Sequence, residues 1–255
     1  MHTQDGGYVA EAVRALSTRN YEAAGDAYCR AARRVLSEPR KGQSPFETDE
    51  RGYSGVGVQY LLTSAICYRV AGRNSRATHR GLEGIAVARD LRTALSQPVQ
   101  RACLDELVAD CRVAGGFDGV ATAYEAAVDA YRAAGDSIES SQTVATTPLF
   151  EAAATPIKQV ARSLADGEIA IKWEDLHGPD PAAAGAFLAH RATYKQQRFP
   201  SLLGRAIDAE FLAAPRGTTE YATNHHRCPD CGSTDVNWIA ESVLCLRCSR
   251  PTDPQ

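Results

Sequence analysis

The chain contains no apolar run near the roughly 20 residues that a helix needs to cross a bilayer. Its first residues are polar and lead straight into a helical pattern, without the basic-then-apolar order of a secretory leader. These two absences predict a cytoplasmic protein with no membrane partner. Charge of one sign is also missing. The net charge is −3 over 255 residues, so no field draws the whole molecule to nucleic acid or to an anionic surface. The usual marks of catalysis are absent too: there is no Gly-rich phosphate loop, no serine nucleophile elbow and no pair of catalytic carboxylates to point to. What is left has the balance of an ordinary globular protein, 44% hydrophobic and 23% charged, with length for one or two domains.

Eight cysteines stand out against that background. Cys29, Cys67, Cys103 and Cys111 lie inside Ala-rich helical stretches, which is the usage of a reducing compartment where a buried thiol acts as a small hydrophobe. The other four fall in two knuckles, Cys228-Pro229-Asp230-Cys231 and Cys245-Leu246-Arg247-Cys248.

The body is read from its repeats. Tyr68-Arg69-Val70-Ala71-Gly72 is echoed by Cys111-Arg112-Val113-Ala114-Gly115, each with helical patterns before and after it. Upstream, Val9, Val13 and Leu16 give one helix. Tyr21, Ala24, Tyr28, Ala31 and Val35 give the next, with Asn20 as its N-cap. Glu38 to Gly57 is punctuated by Pro and Gly and reads as a long loop, with the helix resuming at Val58. Gly72 is expected to end that helix in the left-handed conformation, and Gly115 and Gly135 to end later ones. Gly81 and Gly84 sit inside a helix, where Gly costs about 1 kcal/mol against Ala, so close backbone contact with a neighbour is expected there. A further stripe runs from Leu149 through Phe150, Ala153, Ile157, Val160 and Ala161 to Leu164, and a shorter one through Ile169, Trp173 and Leu176. Asp180-Pro181 reads as an N-cap with Pro at the first helical position. Phe187, Leu188, Arg191 and Tyr194 mark the helix it opens, and Leu202 to Phe211 mark a last one. Nine or ten helices follow, in antiparallel pairs. Lys158, Arg162, Lys172, Lys195 and Arg198 read as a solvated face.

Leu104, Leu107, Gly115, Val120, Tyr124 and Ala127 fall where the tetratricopeptide repeat places large, large, Gly, small, aromatic and Ala. Ala65, Tyr68, Gly72 and Ala77, and then Ala24, Tyr28 and Ala31, fit parts of the same pattern. Over residues 8–135 the chain resembles divergent members of that family with longer helices, of the vesicle-fusion-adaptor (SNAP) kind. The resemblance implies an all-α, antiparallel helical-repeat array that binds a protein or peptide.

At the C-terminus the x-x spacing puts two sulfurs of each knuckle on one ion, and four thiolates suit a closed, structural Zn²⁺ site. Val236, Trp238 and Ala240 alternate with Asn237 before a Glu241-Ser242 turn and Val243-Leu244, which predicts a short β-hairpin with Trp238 in its core. Residues 227–250 resemble a zinc ribbon, with Ser249 where many ribbons have Gly. One zinc ion is expected, held by Cys228, Cys231, Cys245 and Cys248, with His225 and His226 as exposed neighbours. A segment this short needs the metal to fold, so Ser at Cys228 and Cys231 is expected to unfold the tail alone.

The chain thus divides into a helical-repeat domain over 1–214, a linker over 215–224 and a zinc ribbon with its tail over 225–255. The function expected is a non-catalytic protein-interaction scaffold or adaptor. Nucleic-acid or transcription-linked binding through the ribbon is the alternative, although four arginines there face five carboxylates. A metalloenzyme similar in outline to rubrerythrin is weaker: that chemistry needs two Glu-x-x-His motifs, and only Glu174-Asp175-Leu176-His177 is present. His79 and His190 stand alone on helices.

Overall fold

The computed structural model describes residues 6–37, 52–162 and 171–255. Most of the chain is helical: α1 (Tyr8–Ser17), α2 (Tyr21–Ser37), α3 (Tyr53–Val70), α4 (Asn74–Ala94), α5 (Pro98–Gly115) and α6 (Val120–Ala134) follow one another, with three or four residues between neighbours except between α2 and α3. Each packs against its predecessor. Asn20 caps α2 as expected, its Oδ1 accepting from Ala23 N at 3.1 Å. Gly72 ends α3 with φ +69°, and Arg73 N closes back onto Tyr68 O at 2.8 Å.

Several glycines serve differently from the reading above. The left-handed stop after α5 is Gly116, at φ +73°, while Gly115 remains helical because it faces another helix. A Cβ on Gly81 would come within 2.8 Å of Gly115 Cα and Cys111 O, and one on Gly84 within 2.7 Å of Cys111 Sγ. The expected close approach at Gly81 and Gly84 is therefore the α4–α5 contact. Gly135 is right-handed and leads into a 3-10 turn, Gly135–Ser137, beside the backbone of Gly185. The helix expected from Val58 begins at Tyr53 instead. Gly55 and Gly57 lie inside it because Leu149 Cα and Leu36 crowd them. The rest of the expected loop, 38–51, lies outside the described residues, as do Leu164 and Ile169.

After α6 the short helix α7 (Ser141–Ala145) leads to α8 (Pro148–Val160), which lies on both α3 and α5. One turn, α9 (Trp173–Leu176), precedes α10 (Ala184–Asp208). Asp180 caps the turn before α10, its Oδ1 accepting from Ala182 N at 2.9 Å. The two last helices of the sequence reading are one: α10 runs 25 residues straight through Pro200. It packs chiefly on α6 and also reaches α5, α8 and α3.

At the heart of that packing is a buried ionic network. Glu106 and Asp110, one turn apart on α5, face Arg191 and Lys195, one turn apart on α10, and all four are at most 2% exposed. Arg191 donates from Nε and Nη2 to the two Glu106 oxygens, each at 2.8 Å. Lys195 Nζ lies 2.7 Å from Glu106 and 2.6 Å from Asp110. Tyr131 and Tyr124 of α6 donate to Glu106 and Asp110, each at 2.6 Å. The cations also reach α8: Arg191 donates to Phe150 O at 2.9 Å and Lys195 to Ala153 O at 2.7 Å. Burial pushes the Glu106 carboxyl up, but the charges and hydrogen bonds of Arg191 and Lys195 outweigh it and hold the group at about 2. Asp110 is left at about 6, because burial and the Glu106 charge outweigh Lys195. Lys195 and Arg162, expected on a solvated face, are thus interior residues, whereas Lys158, Lys172 and Arg198 are exposed. Lys195 is made tolerable there by its carboxylate partners on α5.

Candidate metal centre

The C-terminal part holds five short strands. β1 (Thr218–Glu220) lies in the stretch 215–224 and pairs antiparallel with β3 (Val236–Ile239), which pairs with β4 (Ser242–Cys245). β2 (His226–Arg227) pairs with β5 (Asp253–Pro254). The β3–β4 turn is Ala240-Glu241, both at positive φ (46° and 63°), one residue earlier than the sequence suggests. Two left-handed residues match the right-handed twist of a tight hairpin. The expected alternation is also inverted at its centre. Asn237 is buried, accepting from Gly217 N at 2.7 Å and donating to Pro215 O at 2.9 Å. Trp238 is not in the hairpin core: it is 41% exposed, with its ring edge-on to His226.

The two knuckles are built alike. Gly232 N donates to Cys228 O and Ser249 N to Cys245 O, each at 2.9 Å. Gly232 and Ser249 hold the same left-handed backbone, φ +73° and +58°. Ser249 therefore adopts the conformation that usually favours Gly, and its hydroxyl accepts from Ala214 N at 2.9 Å.

All four sulfurs of Cys228, Cys231, Cys245 and Cys248 lie within 4.8 Å of one another. The pairs Cys228–Cys248 and Cys231–Cys245 are 3.5 Å apart. That is far longer than a disulfide of about 2.05 Å. It is close to the ~3.8 Å edge of a tetrahedron whose centre lies ~2.3 Å from each sulfur. Backbone amides point at the thiols: Ser233 at Cys231, Cys248 and Arg247 at Cys245, Arg250 at Cys248. The Cys245 thiol is drawn down to about 5, first by a hydrogen bond from Cys248 and then by those amides. The residues present thus fit a metal ion on three buried sulfurs and one, Cys231, at the surface.

The cluster is seated on the helical body. Val13 of α1 packs with Ala214 and Leu244. Arg162, just past α8, donates to Ala214 O and Leu246 O, each at 2.6 Å. Leu246 lies within the second knuckle, so this side chain ties the body to the cysteine turns. Arg250 reaches Ser17 O at 3.3 Å.

The remaining candidates are not gathered. His225 is exposed, and His226 lies in β2 beneath Trp238. His177 is 6% exposed between the rings of Trp173 and Phe187, with Nδ1 2.9 Å from Trp173 O. It does not meet Glu174 in a ligand set. Among the described residues, no other group of three or more His, Cys, Asp or Glu side chains is close enough to hold an ion. The four helical cysteines are all buried, and burial pushes the Cys103 thiol up to about 12. Sequence reading missed the Glu106/Asp110–Arg191/Lys195 network. Its signal was two i,i+4 pairs of like charge, one acidic and one basic, each set within an apolar stripe.

These features define a mostly helical protein with a C-terminal cluster of four cysteines placed to hold a metal ion. No helix among the described residues is long and apolar enough to cross a membrane. No family model, curated protein or solved structure matches the chain.

Proposed function

We propose that the chain is a non-catalytic interaction scaffold, a tetratricopeptide-like helical array carrying a zinc ribbon whose outer face docks a protein partner. Zinc is the ion that four thiolates in a tetrahedron suit best, and four protein ligands leave no open position for substrate. The observation that carries the reading is the placement of aromatic side chains. Trp238, 41% exposed, stands on the strand face opposite Leu244, which packs on α1, and Tyr221, 56% exposed, lies just past β1. Exposed large aromatics on a rigid support are the usual anchors of an interface. The face formed by α3 and α5 is already covered by α8, which favours the ribbon as the docking side.

The exposed Trp238 also favours a second reading, stacking on a nucleic-acid base. Against it, Arg247 and Arg250 are each paired with a carboxylate, Asp235 and Asp230. Affinity purification from native extract, with and without nuclease, separates the two. Wild type, Trp238→Ala and Cys245→Ser would be compared. Protein partners that survive nuclease and are lost in both variants support the scaffold. Recovery of nucleic acid, with partners lost on nuclease treatment, replaces it with the second reading. Partners retained by both variants would place docking on the helices and remove the ribbon from the account.

A further inference from the structure

The repeated Arg-Val-Ala-Gly segments bring their two arginines to one place. Arg69, in the last turn of α3, and Arg112, in the last turn of α5, both line a cavity of about 190 Å³ that α10 closes from the other side. Their guanidiniums lie over the same turn between α5 and α6. Arg69 Nη1 occupies the space where a Cβ of Gly116 would stand, 2.5 Å from it, and Arg112 Nη1 lies 3.6 Å from the Cβ position of Gly119. Arg112 donates to Asp118 O, a neutral carbonyl, at 2.7 Å. Neither arginine forms an ion pair with a carboxylate among the described residues, and no acidic side chain lines the cavity. Val120, the first residue of α6, lines it too, and that helix starts at Gly119 without a side-chain cap or an acidic residue in its first turn. Two cations and the first residue of an uncapped helix therefore line one cavity, each favouring an anion. The remaining wall is apolar, with Val113, Phe117, Leu203 and Ile207.

We infer that this cavity binds a small organic carboxylate with a short apolar body. The carboxylate sits between Arg69 and Arg112, a geometry that guanidinium forks match with paired hydrogen bonds. The hydrocarbon lies against Leu203 and Ile207 of α10. A free amino acid is selected against, because its ammonium would meet two guanidiniums and no acidic side chain among the described lining residues. The inference is independent of the ribbon.

Calorimetric titration of the metal-loaded full chain at low ionic strength tests it, with 4-methylpentanoate as probe. 4-Methylpentanamide, L-leucine and inorganic phosphate serve as comparisons. Saturable binding of the carboxylate is expected, with each comparison compound weaker by about tenfold or more, the loss of one charged hydrogen bond. Arg69→Gln and Arg112→Gln should each weaken it about tenfold with unchanged circular dichroism, and Arg69→Lys should restore part of the affinity. No saturable binding, equal binding of the amide, or binding unchanged in both Gln variants would overturn the site. Phosphate binding as tightly as the carboxylate would overturn the role of the apolar wall. Should a Gln variant lose its helical signal, Leu203→Asp in the opposite wall decides: carboxylate binding that survives it also overturns the site.

Discussion

Glu106 is the hub of the buried ionic network, since Arg191, Lys195 and Tyr131 all bond to it. Replacing it with Gln leaves two buried cations with one carboxylate between them, so a loss of roughly 3–5 kcal/mol at neutral pH is expected, read by urea unfolding. The loss has a defined pH dependence. Glu106 sits at about 2 in the folded protein against an ordinary value of 4.5. Its contribution is therefore complete above about 4.5 and disappears as pH falls toward 2. The stability difference between wild type and Glu106→Gln should shrink over that range; a gap independent of pH would mean that Glu106 is not held ionised. Asp110 acts in the opposite sense. Its folded value of about 6 lies above 3.8, so its contribution is full below about 3.8 and is lost as pH rises through 6. At a smaller scale of force, Gly81→Ala gains about 1 kcal/mol of helix propensity. The added methyl would meet the backbone of Cys111 and Gly115 at 2.8 Å, which cannot swing aside. A net loss of about 1–2 kcal/mol in thermal or chemical unfolding is expected.

Among elements, the second cysteine knuckle shows how a turn is used for docking. Ser249→Gly would relieve its left-handed backbone, worth about 1 kcal/mol, but would leave Ala214 N without its acceptor, which costs about 1–3 kcal/mol. Ser249→Ala loses the acceptor and gains no relief. Protection of the Ala214 amide from hydrogen exchange should therefore fall in the order wild type, Gly, Ala; equal protection in all three would show that the hydroxyl does not hold the cysteine knuckle to the body. The legibility of the elements follows the same physics. α1, α2 and the Asn20 cap were readable because period and cap agree locally. The start of α3 was not, because Gly55 and Gly57 look like loop residues until Leu149 and Leu36 are placed against them. α10 reads as two helices in the sequence, whereas packing on α6 carries it unbroken through Pro200. In the C-terminal part, the x-x spacing pointed to all four cysteines of the cluster. The exposure of Trp238 was hidden by the Ala240-Glu241 turn, which has none of the residues that normally announce two left-handed positions.

At the scale of the whole molecule, the helical body and the cysteine cluster meet through a thin set of contacts. Val13 packs beneath Leu244, Arg162 spans from the end of α8 to Leu246, and Arg250 reaches α1. The large core draws on no buried residue beyond Leu212, and the Glu106 network joins α5, α6, α8 and α10. Removal of the metal should therefore abolish the sheet of β1, β3 and β4 and release Arg162, while the helices persist. The direct measurement is metal content by native mass spectrometry, with far-ultraviolet circular dichroism of the same samples before and after chelation. The proposed zinc site requires one zinc ion per chain, lost in Cys228→Ser/Cys231→Ser and in chelator, with the helical signal retained in both cases. A chain that takes up no ion with all four thiols reduced, or whose helices collapse when the ion leaves, would contradict it.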